Sequence, residues 1–228
     1  MTFYDTISSC PLCRTADTQF YDADKFRIYR LCPCCSLVFV PKAWHLSTQQ
    51  EKARYNTHNN DPRDPGYRKF LRRLFDPLRA RLPEGAQGLD FGCGPGPALA
   101  AMFCEAGFSV NLYDKFYAPD QQAFNRVYDF IMAAEVLEHL SRPDQELSRL
   151  FSVLRDGGIL GVMTKLVQNR EAFANWHYKR DPTHISFFSR QTFLWLAATF
   201  DANVEFIPDT VILLQKKPQM AQTPGGCA

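Results

Sequence analysis

The first residues with a recognisable chemistry are four cysteines near the start of the chain. "CPLC" supplies Cys10 and Cys13, and "LCPCC" supplies Cys32 and Cys35. Two such pairs have the spacing of a four-cysteine zinc site, because each short turn can direct both of its sulfurs at one tetrahedral metal. We therefore predict a structural Zn²⁺ that leaves no open position for catalysis and stabilises a segment too short to bury its own core. Cys34 is the alternative to Cys35 as the last ligand.

A glycine-rich loop is the second candidate site. In "GLDFGCGPGPALAAMF" an apolar run leads into Gly92, Gly94 and Gly96, and an alanine-rich segment follows, which predicts a strand, a tight turn and a helix. The G-x-G-x-G spacing differs from the G-x-G-x-x-G of dinucleotide-binding loops, and the Lys-Ser or Lys-Thr of a P-loop is missing. No basic residue lies between Gly88 and Phe103 to meet a pyrophosphate. A dinucleotide is therefore not the expected ligand.

Two carboxylates indicate what the ligand is instead. Asp90 ends the strand before the loop, and Asp114 ends the next predicted strand, "FSVNLYD". A carboxylate at this second position can accept hydrogen bonds from both ribose hydroxyls. Together with the absence of basic residues, the two acids favour a nucleoside that carries a positive centre and no phosphates.

In this order the motifs resemble those of the class I S-adenosylmethionine-dependent methyltransferases. "LDFGCGPG" resembles their first motif, Asp114 the acidic residue of their second, and "YDFIMAAEVLEHL" their fourth-strand motif. The resemblance covers about Tyr67 to Lys216. It implies a doubly wound α/β fold with a mostly parallel, seven-stranded Rossmann-like sheet and a C-terminal antiparallel strand. Alternating strand and helix patterns in this part of the chain favour the same class.

The resemblance also implies roles for particular residues. The three glycines would let the backbone approach the methionine portion of S-adenosylmethionine, Asp90 would orient that portion, and Asp114 would hold the ribose. The remaining residues expected near the cofactor are Glu135, Val136 and Leu137. Residues 115–126 depart from the family pattern, because they contain no clear strand and Asp120 is their only carboxylate.

The acceptor is expected at residues 175–189, "NWHYKRDPTHISFFS", which we call the acceptor segment. Ligands of open α/β sheets bind beyond the carboxyl ends of the strands, and this segment follows the buried strand "ILGVMT". His184 is the first candidate for a general base and His177 the second, while a purely structural, hydrogen-bonding role for His184 is the alternative. His139 is expected to be a packed, hydrogen-bonded histidine. The candidate acceptor contacts are Trp176, Tyr178, Asp181 and Phe187.

The pattern divides the chain into a small segment and a larger domain. Residues 1–42 form the zinc-ribbon-like β segment. Residues 43–217 form the methyltransferase domain, with N-terminal helices over 43–84 and the sheet core over 85–217. Residues 218–228 are predicted to be a disordered tail, because they contain too few apolar residues to pack.

Composition narrows the function without fixing the acceptor. The 228 residues have 46% hydrophobic and 22% charged content and a net charge of +2. The sequence has neither a membrane-spanning apolar run nor the pattern of a signal peptide, so we expect a cytoplasmic protein with reduced thiols and no membrane partner.

The favoured function is methyl transfer to a small-molecule or sugar-like acceptor by in-line displacement. One alternative is a ribosomal RNA base methyltransferase whose zinc knuckle helps to bind RNA, suggested by "CPLC" and by the basic residues Arg68, Arg72 and Arg79. The low net charge weighs against it, because phosphate contacts need many Lys and Arg. The other alternative is a catalytically silent cofactor-binding module.

Overall fold

The computed structural model describes residues 8–57, 60–208 and 210–218. The predicted tail at 218–228 therefore lies, apart from its first residue, outside the described residues. Within them no helix is both long and apolar enough to cross a bilayer. The strands are β1 (Gln19–Ala23), β2 (Ile28–Leu31), β3 (Val38–Phe39), β4 (Gln87–Phe91), β5 (Ser109–Tyr113), β6 (Tyr128–Ala134), β7 (Leu154–Met163), β8 (Ser186–Phe187), β9 (Ala202–Ile207) and β10 (Val211–Lys216). The α-helices are α1 (Thr48–Tyr55), α2 (Pro65–Arg79), α3 (Ala98–Glu105), α4 (Pro143–Val153), α5 (Arg170–Ala174) and α6 (Arg190–Thr199).

The larger sheet has the order β5-β4-β6-β7-β10-β9. The strands β5, β4, β6 and β7 pair in parallel, and β10 runs antiparallel to both β7 and β9. This confirms the α/β class, the mostly parallel sheet and the antiparallel C-terminal strand.

The predicted number of seven strands is wrong, because the described sheet has six. The absent strand would lie between β5 and β6. There the carboxylate of Asp114 accepts hydrogen bonds from the backbone N–H groups of Phe116 and Tyr117, which folds the chain into a turn. A short 3₁₀ helix, Gln121–Asn125, follows, and the side chain of Asp120 caps it by accepting from Gln122 N–H at 2.9 Å. The segment has no alternating apolar pattern that would keep it in a buried strand.

Helices cover both faces of this sheet. On one face α2 and α3 pack against alternate side chains of β6, including Phe130 and Met132. On the other face α4 and α6 pack against Ile131 and Ala133 of the same strand. Since β6 is buried on both sides, its sequence is almost continuously apolar. Pro77 lies inside α2 and does not end the helix, which continues to Arg79.

The smaller sheet is antiparallel and has the order β1-β2-β3-β8. Its first three strands come from the cysteine-containing segment, but β8 belongs to the acceptor segment. Tyr29 and Val38 pack there with Phe173 and Phe187 in one apolar cluster. The small sheet is therefore completed by the methyltransferase part of the chain and joins directly to the acceptor segment.

Candidate active site

The glycine loop, residues 92–96, leaves the carboxyl end of β4. Gly92 has φ +77°, and a Cβ there would lie 2.6 Å from a methyl group of Val136. A Cβ on Gly96 would lie only 1.9 Å from the backbone oxygen of Asn60. The loop therefore requires glycine for two reasons. Gly92 has a left-handed backbone, and Gly96 is in close contact with the residues from Asn60 to Pro62, which we call the covering segment.

Two carboxylates lie beneath and beside this loop. Asp90 is 4% exposed and accepts a hydrogen bond from Ala100 N–H at 3.2 Å; burial raises the pKa of its carboxyl to about 7. Asp114 accepts from Gly94 N–H at 3.1 Å, in addition to its own turn. Asp114 thus fixes the glycine loop to the end of β5. Both acids lie at a site to which the loop itself contributes no basic side chain.

A cavity of about 340 Å³ opens where β4, β5 and β6 end, a volume within the usual range for small ligands. Of the predicted residues, the cavity is lined by Gly92, Gly94, Asp114, Glu135, Val136 and His184. Asp90, Gly96 and Leu137 lie behind this lining. Leu137 is fully buried in the core. Asp120 is exposed and lies outside the lining as well.

Helix α1 and the residues that follow it cover the cavity. Tyr55 and Asn60 line it directly. The helix is fixed by an ion pair of Arg54 with Asp181 at 2.9 Å and by an ion pair of Glu51 with Lys115 at 2.6 Å. The covering elements therefore bind the acceptor segment on one side and the end of β5 on the other.

Three groups, Glu138, His139 and His184, meet at the acceptor end of the cavity, and we call them the histidine cluster. One ligand atom from each lies within 4.8 Å of the others. The two imidazole rings are edge to face, with their centroids 4.7 Å apart. Nδ1 of His139 lies 3.2 Å from Thr183 O, and Nδ1 of His184 lies 2.7 Å from Tyr178 O.

Because a carbonyl oxygen only accepts, both rings must carry their proton on Nδ1 when neutral, which places the lone pair on Nε2. Burial, with a further contribution from His184, lowers the pKa of His139 to about 3. His139 is therefore a neutral imidazole at neutral pH.

Glu138 has no exposed surface. Its carboxylate accepts one hydrogen bond from the Thr164 hydroxyl at 3.0 Å and another from the Tyr178 hydroxyl. Burial, together with the nearby Glu135 carboxylate, raises the pKa of Glu138 to about 8. The Tyr178 hydroxyl also lies 3.3 Å from Glu135, so one phenol connects both acids.

The other predicted acceptor residues lie outside the cavity lining. His177 is exposed, and its Nε2 lies 2.8 Å from Lys165 Nζ. Trp176 and Phe187 pack against Phe173 in the core of the small sheet.

Tyr178 and Asp181, which belong to the acceptor segment, stabilise its conformation and do not line the cavity. The Tyr178 ring packs against His184 with a centroid distance of 4.2 Å. Although burial opposes it, hydrogen bonds from Thr183 and Arg54 hold the pKa of Asp181 well below its usual range. The acceptor segment therefore brings one of its two histidines, His184, to the cavity.

The cysteines form a second site. Cys10 Sγ and Cys35 Sγ are 3.5 Å apart, and Cys13 Sγ and Cys32 Sγ are 3.3 Å apart. All four sulfurs lie within 4.8 Å of one another, whereas Cys34 is exposed. Thiolates at about 2.3 Å from a tetrahedral zinc lie about 3.8 Å apart, so the donor set fits a single metal. The cluster contains Cys35 and not Cys34.

The basic residues of α2 are engaged within the chain. Arg68 pairs with Glu105, and Arg72 lies 3.8 Å from Asp76. Arg79 lies over the Phe75 ring at 6.0 Å. Two of the three arginines that suggested an RNA contact are thus paired with acids of the same chain.

Sequence reasoning missed Tyr55 and Asn60 as lining residues and placed His139 in the packing. Tyr55 and Asn60 lie outside the sheet region, in a polar stretch without periodicity, and no local signal marked them. His139 carried a usable signal, because it directly follows the acidic motif at the end of β6, where parallel strands present ligand-binding groups.

The arrangement of a glycine loop at the end of β4 and an acid at the end of β5 is the one that the resemblance to S-adenosylmethionine-dependent methyltransferases implies. The chain belongs to the family described as "Methyltransferase domain", which matches residues 63–205. It is an enzyme of this class. No curated protein matches the sequence.

Among solved structures, the chain is similar to several methyltransferases. One of them is the 1,6-didemethyltoxoflavin-N1-methyltransferase of Burkholderia thailandensis, crystallised with 1,6-didemethyltoxoflavin and S-adenosylhomocysteine. It is 16% identical to this chain with a TM-score of 0.50, and the match covers 88% of this chain and 100% of the methyltransferase. The CurJ carbon methyltransferase is 18% identical with a TM-score of 0.45, covering 66% of this chain, and this chain spans 54% of its length. An O-methyltransferase family protein of B. thailandensis is 13% identical with a TM-score of 0.46, covering 73% of this chain and 62% of its own. At these identities the likeness concerns the fold alone.

Proposed function

We propose that the protein methylates a small-molecule acceptor, and that the acceptor binds between the glycine loop and the histidine cluster. The observation that carries the proposal is that one cavity of about 340 Å³ is lined by both Gly92 and His184. A donor held at the loop and an acceptor held at the cluster would therefore meet inside a covered space. Six Phe and Tyr side chains in the lining favour a flat or partly apolar acceptor: Tyr55, Tyr67, Phe70, Phe91, Tyr113 and Tyr117.

The cofactor-facing residues have separate roles in this proposal. The backbone at Gly92 and Gly94 approaches the methionine portion of the cofactor. Asp90, which is buried beneath the loop, orients this portion, and Asp114 accepts hydrogen bonds from the ribose hydroxyls. Glu135 and Val136 close the opposite wall, with Leu137 packed behind them. When bound, S-adenosylmethionine supplies a methyl group on a positively charged sulfur.

Alignment is the main contribution of the chain, since well-oriented reactants gain about 7–11 kcal/mol over separate ones. His184 is the candidate for receiving the acceptor's proton. Its Nδ1–H is directed at Tyr178 O, so the Nε2 lone pair belongs to the tautomer that can act as a base. A general base typically adds about 10²–10⁴-fold. His177 is exposed and outside the lining, which makes it the weaker candidate.

The four-cysteine site is proposed to hold a structural Zn²⁺ that supports the acceptor segment. The guanidinium of Arg27, next to β2, donates to the carbonyl oxygens of Lys179, Asp181 and Pro182 at 2.6, 3.0 and 3.1 Å. Arg27 is 6% exposed. The hairpin that carries the cysteines thus also holds the acceptor segment in place.

A labelling experiment tests the proposal. Purified protein is incubated with methyl-labelled S-adenosylmethionine and a cell extract, with and without RNase, and the products are separated by ultrafiltration. We expect label in the small-molecule fraction that is insensitive to RNase and absent with the His184→Gln variant. Macromolecular label that RNase removes would instead support an RNA acceptor, and no label in any fraction would support the silent module.

A matched binding control separates the two halves of the site. S-adenosylhomocysteine affinity, measured by calorimetry, should be unchanged in His184→Gln and strongly reduced in Asp114→Ala. Equal losses in both variants would contradict the assignment of separate cofactor and acceptor ends.

A further inference from the structure

The histidine cluster has the composition of a metal site. It combines two imidazoles and one carboxylate, a donor set that binds divalent transition metals and leaves positions open for a substrate. The three ligand atoms lie within 4.8 Å of one another. Ligands at about 2.0–2.2 Å from a shared cation lie about 3–4 Å apart, so a small contraction would bring these groups around one ion.

Both imidazoles are held as metal-binding histidines usually are. In such sites the ring nitrogen that does not bind the metal donates to a carbonyl or carboxylate, which fixes the tautomer and the orientation of the ring. Here Thr183 O and Tyr178 O accept from Nδ1 of His139 and His184. Both carbonyls belong to the acceptor segment, so one stretch of backbone sets the orientation of the two rings.

The charge of the cluster favours a cation. Glu138 is fully buried and takes its hydrogen bonds from the hydroxyl groups of Thr164 and Tyr178. In the part of the chain that the structure describes, no salt bridge joins Glu138 to a Lys or an Arg. The oxygens of Glu138 are therefore not engaged by a cationic side chain of these residues, and Glu135 adds a second acid on the other side of the same phenol.

We propose that Glu138, His139 and His184 bind a divalent metal ion, and that a hydroxyl oxygen of the acceptor is a further ligand of this ion. The inference rests on the proposed function and narrows the acceptor to an oxygen nucleophile. A bound cation acidifies a ligated hydroxyl. Its proton passes to solvent water, an oxygen lone pair forms the new bond to carbon, and the electrons of the broken carbon–sulfur bond return to sulfur. In this arrangement His184 acts as a ligand instead of a base.

The test titrates Mn²⁺ into the full chain with its four-cysteine metal retained, and follows free Mn²⁺ by electron paramagnetic resonance. Mn²⁺ is a suitable probe because it prefers oxygen and nitrogen ligands and does not compete for thiolates. We expect about one tightly bound Mn²⁺ per chain, at least about tenfold weaker binding in His139→Gln and Glu138→Gln, and wild-type binding in the matched control His177→Gln. S-adenosylhomocysteine affinity, measured on each variant, shows that the cofactor end remains folded.

The second readout is methyl transfer to the small-molecule fraction as a function of Mn²⁺ occupancy, which should rise with it. The inference is overturned if wild type binds Mn²⁺ no more tightly than His139→Gln, or if transfer is complete without Mn²⁺. In either case labelled product that depends on His184 would leave the proposed function intact. Tight Mn²⁺ binding without any labelled small molecule would support the metal site and contradict the proposed function.

Discussion

Gly96→Ala should separate cofactor binding from global stability. Gly96 does not have a positive φ, so alanine causes no left-handed strain there. The added Cβ would lie 1.9 Å from the backbone oxygen of Asn60, where an ordinary contact begins at 3.4 Å, so the covering segment must retreat by about 1.5 Å. No rotamer change can relieve this contact, because the atom that obstructs the Cβ belongs to the backbone.

The expected magnitude follows from that displacement. Asn60 lines the cavity. A misplacement of about 1 Å in a positioning element can lower a reaction rate by about 10²-fold, and we take the same factor for the affinity of a ligand that this element covers. We therefore expect S-adenosylhomocysteine to bind about 100-fold more weakly, which corresponds to about 2.7 kcal/mol. The unfolding midpoint without ligand should change little, because only the covering segment moves. Calorimetry measures the first quantity and denaturant unfolding the second.

Gly85→Ala is the matched control. Gly85 has φ +73°, and an added Cβ would have no neighbouring atom within 4 Å, so alanine there should cost about 1–2 kcal/mol of stability through backbone strain alone. It lies away from the cavity and should keep wild-type affinity. If Gly96→Ala binds S-adenosylhomocysteine as tightly as wild type, or if Gly85→Ala weakens it equally, the covering segment does not act as described.

Three further predictions concern the hairpin, the buried acid and the metal. Arg27→Ala should lower the free energy of unfolding by about 3 kcal/mol, since it leaves buried carbonyls without their donor, and should speed hydrogen exchange in the acceptor segment; unchanged exchange there would contradict the anchoring role. Because folded Asp90 keeps its proton to about pH 7 while the unfolded chain loses it near pH 4, wild-type stability should fall between about pH 4 and pH 7 more steeply than that of Asp90→Asn. Equal slopes in denaturant unfolding would refute this. Zinc content should be lost in Cys35→Ser and kept in Cys34→Ser, and elemental analysis that finds the reverse would show that the ligand is misassigned.

The features predicted correctly are those encoded within a short stretch of chain. The apolar run before Gly92 predicts β4, the spacing of the cysteines predicts their cluster, and the alternation of strands and helices predicts the parallel sheet. Asp114 follows from its place at the end of β5. In each case neighbouring residues carry the whole signal, so no long-range pairing has to be known.

The features that were not predicted depend on contacts between distant segments. Tyr55 and Asn60 reach the cavity because α1 is held by ion pairs with Asp181 and Lys115, and nothing local marks either pair. The acceptor segment contains many polar and aromatic residues, but pairing of its strand β8 with β3 turns Phe187 into the core and leaves His184 at the cavity. Which side chain faces the ligand is therefore set by the register with a strand far away in sequence.

The pairing of β3 with β8 has a consequence for how the protein folds. Val38 pairs with Phe187 and Phe39 with Ser186, so the last edge of the small sheet is synthesised long after its first three strands. Contacts of such large sequence separation form slowly, because the intervening chain must first be brought together. During synthesis the cysteine hairpin therefore emerges with an unpaired strand edge, and early metal binding would protect it until β8 arrives.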